Sequence, residues 1–404
     1  MNKQERKQDL LRVIAKLDIT PTMYKNAEEK YKNIATFLQS HGIEADMYPQ
    51  GSFALGTVVR PSAKDPNAAY DLDFICQVKG TREETTPGEL WKQIEEALTS
   101  SDLYRDKLTI NERCFTIKYA DVGEYGFSID VVPATDESET TKSRLQQKSP
   151  TPELIATSIS IPEHTETGYR WITNNPKGYR VWFERINEPF ANYSWKTTRE
   201  RIFRENRAIF ASIEEIPSAL NRSSVQRVIQ ILKHHRDVFY SKYRNGDDLK
   251  PISAIINTIV ARMALNLQAD FPVFDLLDYV TMELSAYAER QHFSEESFAK
   301  QHPGKNVIKR TDGKWIIENP ANPGDNLADA WNDNPEIPKI FFMWSSRVHS
   351  DLIDSLGLED EEFRARIEGA FGQKTIETVW EKKYNAIPAT PILSARPAKP
   401  WGQV

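Results

Sequence analysis

Cysteine is nearly absent from the chain. Its 404 residues hold two, Cys76 and Cys114, each inside an apolar, strand-like run and without a C-x-x-C partner. Both are read as reduced, buried thiols, and neither a zinc site nor a disulfide is expected. With 17 Gly and 23 Pro, scattered and without period, the chain is neither collagen-like nor of low complexity. No apolar run approaches the roughly 20 residues that cross a bilayer. The N-terminal MNKQERKQDLLRV also lacks the apolar stretch of a secretory signal, so a cytoplasmic setting without membrane association is expected. Nor is there an excess of positive charge: 52 Lys and Arg face 58 Asp and Glu, for a net charge of -6. Stable binding along DNA or RNA rests on neutralising many phosphates and is not expected. A pocket for a small phosphorylated ligand needs only a few cations and stays open.

What the chain does have is enough length for two or three domains at about 150 residues each. Leu10, Val13, Ile14 and Leu17 recur at helical spacing, and Thr20-Pro21 supplies an N-cap and a first-turn proline for a second helix. That helix carries Ala27, Tyr31, Ile34, Ala35 and Leu38 on one face and meets Gly42 where a left-handed cap is expected. A short extended segment, IEADMYP, follows. The runs 71–78 (DLDFICQV), 113–119 (RCFTIKY) and 127–132 (FSIDVV) have the near-alternation and the β-branched and aromatic content of strands. A helix with the sequence ELWKQIEEALTSS, preceded by Pro87-Gly88, lies between the first two.

After about residue 195 strand signals fade and amphipathic helices take over. Residues 222–243 place Val225, Val228, Ile229, Leu232, Phe239 and Tyr243 on one face and Gln226, Gln230, Lys233 and Asp237 on another. Residues 252–267 repeat the pattern, and a further helix is expected over 360–384. The 320–326 segment PANPGDN reads as a loop, and the tail from Pro388 as extended. The expected fold class is α+β, divided into a mixed α and β domain over 1–195, a helical domain over 196–387 and a tail over 388–404.

The chemistry concentrates in three aspartates. Asp71 and Asp73 are two apart in a strand, so both leave the same face, about 6.6 Å apart along the backbone at about 3.3 Å per residue. Leu72 and Phe74 point the other way. Asp130 stands in a second strand between Ile129 and Val131, and if the strands are neighbours three carboxylates converge. Carboxylates so gathered repel one another and raise their own pKa values unless a cation neutralises them. Oxygen ligands alone favour Mg²⁺ or Mn²⁺ over zinc. Two such ions about 3.5 to 4 Å apart stabilise both the attacking and the leaving oxygen of a phosphoryl displacement. Upstream, Gly51-Ser52, extended by Gly56 and Thr57, offers backbone N–H groups and a hydroxyl for a phosphate. The order is the informative part: Gly-Ser, an acidic pair about 20 residues on, then a lone aspartate framed by apolar residues.

Gly51-Ser52, Asp71-x-Asp73 and Asp130 in FSIDVVPA together resemble the signature of the DNA polymerase β-like nucleotidyltransferases. PQGSFALGTVVRP with DLDFICQV, the helix ILKHHRDVFY, the segment KPISAIINTIVA and the loop NPANPGDNLADAW narrow the resemblance to the bacterial cGAS/DncV-like nucleotidyltransferases, over about residues 45–345. The resemblance implies a nucleotidyltransferase core, a mixed sheet with flanking helices, followed by an oligoadenylate-synthase-like helical domain with the active site between them. It implies a template-independent enzyme that joins nucleoside triphosphates, releases pyrophosphate and closes a cyclic di- or oligonucleotide. That second messenger would switch on a downstream effector in anti-phage defence.

Carried onto this sequence, the resemblance gives Asp71 and Asp73 to two Mg²⁺ ions, for which Mn²⁺ can substitute, and to the triphosphate. Asp130 would complete the metal that activates the acceptor hydroxyl. Gln50, Gly51 and Ser52 would grip the phosphates, Lys233 and Ser253 would reach the donor triphosphate, and Asn326 would face the cleft. Ser253 also stands where the N-cap of the helix after Pro251 is expected. Tyr193, Trp195 and Tyr240 are aromatic candidates for stacking on a base. His234 and His235, adjacent on a helix, point about 100° apart and are read as a packed pair. Transfer of nucleotides to RNA, a protein or a small molecule is the alternative within the same chemistry. An inactive nucleotide sensor is the alternative outside it, disfavoured by the presence of all three aspartates.

Overall fold

Thr20 accepts a hydrogen bond from the Met23 N–H at 3.1 Å, and Pro21 occupies the first turn, so helix α2 (Pro21–Ser40) starts where its cap residues stand. It stops where His41 is followed by Gly42 at φ +80°, a left-handed conformation natural to glycine. The computed structural model describes residues 2–60, 69–122, 125–205 and 221–385. The tail over 388–404 lies outside the described residues.

Beyond α1 (Lys3–Ile14) and α2, the first half is built on a seven-stranded sheet. The strands are β1 (Ala45–Pro49), β2 (Ala69–Thr81), β3 (Leu108–Ile110), β4 (Phe115–Val122), β5 (Tyr125–Asp136), β6 (Ile159–Thr165) and β7 (Gly168–Asn174). The order is β1-β2-β5-β4-β3, with β6 joining β5 and β7 joining β6. Among the described strands only β2 and β5 run parallel; the remaining pairs are antiparallel, so the sheet is mixed. Helix α3 (Gly51–Leu55) sits between β1 and β2, and α4 (Pro87–Thr99) opens with a capping box between Thr86 and Glu89.

Alternation decides which face each strand buries. Leu72, Phe74, Ile129 and Val131 are buried with Trp91, Ile94, Phe115 and Ile117, which leaves Asp71, Asp73 and Asp130 on the opposite face. The β6–β7 hairpin went unseen in the sequence. Pro162, Glu163 and Gly168 interrupt its apolar pattern, and Glu163 is held instead by ion pairs to Arg113 and Arg170.

The second half is mainly helical, with two departures from expectation. The helix expected over 360–384 is two, Asp360–Phe371 and Gln373–Trp380, separated by Gly372 at φ +87°. A small hairpin, Lys309–Thr311 with Lys314–Ile316, interrupts the helices. The helix expected from 222 spans Ser224–Tyr240, and the one expected over 252–267 spans Ser253–Ala264.

A division at 195/196 cuts through the helix Pro176–Glu205. The first helix also packs away from the sheet's own core: Leu10, Val13, Ile14 and Leu17 are buried in one cluster with Val228, Ile229, Phe363 and Trp380. Its Asp9 accepts hydrogen bonds from Lys383 Nζ and Tyr384 Oη, both at 2.5 Å. The chain thus begins and ends its described part on the helical lobe.

Candidate active site

The parallel pairing of β2 with β5 sets Asp73 opposite Asp130 and Asp71 opposite Ser128. Neighbouring strands lie about 4.8 Å apart, so the three carboxylates stand on one face within reach of one another. Each outer one has a hydroxyl partner: Ser128 Oγ donates to Asp71, and Thr116 Oγ1, itself receiving Asn111 Nδ2 at 2.7 Å, donates to Asp130. Burial pushes all three acids up, and the neighbouring charges of Asp130 and Asp71 carry Asp73 to about 7 against the opposing pull of Lys233. Among the described residues no group of three or more His, Cys, Asp or Glu forms a ready-made metal cage. The donor set nevertheless suits a hard divalent cation: three carboxylates share one face, and their mutual repulsion, felt most at Asp73, is what such a cation relieves.

Helix α3 is pressed onto this acidic face. The Gln50 N–H donates to the Asp73 carbonyl at 2.8 Å, and Gly51 follows at φ +61°. A Cβ at position 51 would fall 2.5 Å from Asp73 Oδ2, so conformation and space both demand glycine there. Gly51-Ser52 opens a single helical turn, where the sequence suggests a plain phosphate-gripping turn running on through Thr57. Gly56 at φ +65° ends that turn.

The helix Ser224–Tyr240 holds the segment after α3 from the other lobe. Gln226 Nε2 donates to Leu55 O at 2.9 Å, Gln230 Nε2 to Val58 O at 2.7 Å and Lys233 Nζ to Thr57 O at 3.1 Å. Spacings of four and three place these side chains on one helical face. That polar face is therefore buried, because it satisfies backbone carbonyls. Burial, reinforced by Arg236, lowers Lys233 to about 8.

A cleft of about 940 Å³ opens between the lobes. Gln50, Gly51, Ser52, Asp71 and Asp73 line one side; Lys233, Ser253 and Asn326 line the other. Asp130 stands behind Asp73 and does not line it. Ser253 is the first helical residue, with Ile252 at the cap position, and its Oγ accepts from Arg236 Nη1 at 3.2 Å. The Asn326 side chain is used by its own loop: its oxygen accepts from Ile317 N at 2.9 Å and Ala328 N at 3.1 Å, and its nitrogen donates to Trp315 O at 3.0 Å and Asp329 Oδ1 at 2.8 Å. It borders the cleft as the clamp of that loop.

Sequence reading missed Arg236, Tyr179 and Asn257, all in the cleft wall. The three-residue step from Lys233 to Arg236 was the available signal for the first. Tyr179 and Asn257 are brought there by packing alone. His234 stacks on Phe371, and His235 meets Trp344 Nε1 and Asp351, a packed pair as expected. Tyr240 is buried and Tyr193 exposed; neither lines the cleft. The side chain of Trp195 lies outside the described residues.

Residues 5–187 match the Second Messenger Oligonucleotide or Dinucleotide Synthetase domain. The chain is 23% identical over 386 residues to a c-di-GMP synthase of Roseivirga ehrenbergii, covering 92% of this chain and 87% of that protein. Its fold is similar to that of CdnG of Bradyrhizobium diazoefficiens, solved with GTP, at a TM-score of 0.65 and 18% identity, over 92% of this chain and 97% of that one. It is also similar to CdnC of E. coli MS115-1, solved with ATP, at a TM-score of 0.57 and 13% identity, over 91% of this chain and 98% of that one. Two lobes, a cleft with Asp71 and Asp73 in its wall and these likenesses converge: residues 5–187 match a second-messenger synthetase domain, and over most of its length the chain is similar to bacterial cGAS/DncV-like nucleotidyltransferases, the group whose members make cyclic nucleotide second messengers.

Proposed function

We propose that this enzyme joins nucleoside triphosphates in the cleft with the help of divalent metal, Mg²⁺ or Mn²⁺, and closes them into a cyclic di- or oligonucleotide. The observation that carries this reading is the shared face of Asp71, Asp73 and Asp130 on the parallel pair β2 and β5, beside a glycine whose left-handed conformation and close approach to Asp73 disfavour any side chain. Asp71, Asp73 and Asp130 would hold the metal, which when bound supplies charge neutralisation at the attacking and leaving oxygens. The Thr116 and Ser128 hydroxyls fix which lone pairs of Asp130 and Asp71 remain free for it. Gln50, Gly51 and Ser52 present the start of α3 to the phosphates. Lys233 and Arg236, one helical turn apart, bring two cations to the same triphosphate, with Ser253 beside them.

The two cores support a division of labour between a sheet lobe and a helical lobe that includes the first helix. Catalytic acids come from one and phosphate-binding cations from the other, so correct closure assembles both. The c-di-GMP synthase relative and the GTP and ATP of the two solved structures favour purine triphosphates as substrates. An effector responding to the product, in anti-phage defence, is the role the family implies.

The test is incubation with α-labelled NTPs and Mg²⁺ followed by phosphatase. A cyclic product has no terminal phosphate and keeps its label in phosphatase-resistant form. A linear product keeps its internal label as well but loses its 5′-triphosphate, so a labelled product whose mass drops on phosphatase treatment would refute cyclisation, and label carried on RNA or protein would establish the alternative acceptor.

A further inference from the structure

On the far side of the 318–326 loop from the active cleft lies a second cavity of about 580 Å³ that no step of the reaction uses. Its walls come from distant parts of the chain: Lys148 and Thr151 between β5 and β6, Trp182 on the Pro176–Glu205 helix, Arg262 and Asn266 at the end of the Ser253–Ala264 helix, and Asn306 and Lys309 at the start of the small hairpin. Lys148, Arg262 and Lys309 line it together with a single carboxylate, Glu318. That carboxylate is shared by two of them, Lys309 Nζ at 2.7 Å and Arg262 Nη2 at 3.8 Å. Lys148 is exposed, and among the described residues no carboxylate pairs with its ammonium. The walls also include a half-buried indole, prolines 150, 320 and 323, the aliphatic Leu265 and Val307, and the Asn266, Asn306 and Asn319 amides.

Cations in excess at one place, an aromatic face with proline edges, and amides that both donate and accept match the three parts of a nucleotide: phosphate, base plane and base edge. The volume lies within the 300 to 1,000 Å³ usual for small-molecule sites. We propose that this cavity is a second nucleotide site, with Lys148 and Lys309 on phosphate and Trp182 against the base.

The site adjoins the cleft through one loop. Asn319 lines both cavities. Its backbone N–H donates to Asp325 O at 3.2 Å and its Nδ2 to Asp325 Oδ2 at 2.8 Å, while Arg262 Nη2 donates to the neighbouring Glu318 carbonyl at 3.1 Å. A phosphate that draws Arg262 or Lys309 from Glu318 acts on the residue next to Asn319. Asp325 and Asn326, on the cleft side, are tied to the same loop. Trp182 in turn touches Tyr179, a cleft residue, with ring centroids 5.4 Å apart. Occupancy of the second site therefore alters turnover in the first.

The test is photolabelling of the full-length wild-type chain with 8-azido-ATP, with adducts mapped by peptide mass spectrometry. Labelled peptides are expected from the cleft and, separately, from 182 or 306–309. In the double variant Lys148→Glu/Lys309→Glu the second set falls about tenfold or more, as expected from losing two charge-assisted phosphate contacts. Cleft labelling is retained, since neither lysine lines the cleft. Unlabelled nonhydrolysable ATP and the enzyme's own purified cyclic product, used as competitors, decide between a substrate and a product as occupant; protection by either supports the site. Label confined to the cleft, or second-site label untouched by the double variant or by both competitors, overturns the proposal. The cleft labelling reports independently on the active site, so failure of one is distinguishable from failure of the other.

Discussion

Lys233 Nζ donates to the carbonyl of Thr57 at 3.1 Å while its charge also faces Asp73, so one buried ammonium links the helical lobe, the segment after α3 and the acidic strand. Lys233→Met keeps the length of the stem and removes the donor. Contacts to charged groups contribute about 1.5–3 kcal/mol, so kcat/KM for the triphosphate is expected to fall by roughly tenfold to a hundredfold. Steady-state kinetics over a range of NTP concentrations checks this, and an unchanged KM and kcat would contradict it.

Gly51 carries a different constraint. In Gly51→Ala the new methyl meets Asp73 Oδ2 at 2.5 Å, and the residue is forced to φ +61°. The left-handed backbone alone costs about 1–2 kcal/mol for a non-glycine residue. Displacement of Asp73 adds a loss of activity exceeding the loss of stability. Thermal unfolding and pyrophosphate release measured on the same preparation separate the two; full activity with a normal unfolding temperature would remove Gly51 from the site.

The acids give a pH signature. Asp73 is carried to about 7 in the folded protein, whereas an unfolded aspartate titrates near 3.9. Between those values the folded state holds a proton the unfolded state has lost. Stability of the metal-free protein therefore falls as pH rises from about 4 to about 7. A cation that replaces the proton stabilises most above that window. Unfolding temperatures with and without Mg²⁺ at pH 5 and pH 8 are expected to differ more at pH 8, and equal gains would contradict the assignment.

Thr116→Val tests positioning. Valine keeps the β-branched shape suited to β4 and removes the hydroxyl that orients Asp130. Activity is expected to drop severalfold through a weaker apparent affinity for Mg²⁺, with the fold retained by circular dichroism. A Mg²⁺ titration curve superimposable on the wild type would show that Asp130 needs no orienting partner.

The acidic face was legible because period-two alternation assigns sides of a strand without knowledge of its neighbours. Leu72 and Phe74 against Asp71 and Asp73 needed no partner to be read. That β2 pairs with β5 in parallel, which brings Asp130 beside Asp73, is a non-local fact that the sequence left as a condition. The buried role of Gln226 and Gln230 was hidden for a related reason: a polar helix face is buried only when carbonyls such as Leu55 and Val58 are waiting across the lobe boundary. The same limit misplaced the first helix. Leu10 and Val13 announce an apolar stripe, but only the fold shows that the stripe is covered by Phe363 and Trp380, more than 300 residues away.

The account rests on the acids at 71, 73 and 130 acting together on metal and triphosphate. Mg²⁺-dependent pyrophosphate release from NTPs, measured for the wild type and for Asp71→Asn, Asp73→Asn and Asp130→Asn, tests it most directly. Each single variant is expected to lose nearly all turnover while unfolding at the wild-type temperature or above, since every substitution relieves repulsion on that face. Near-wild-type release by any of the three would contradict it.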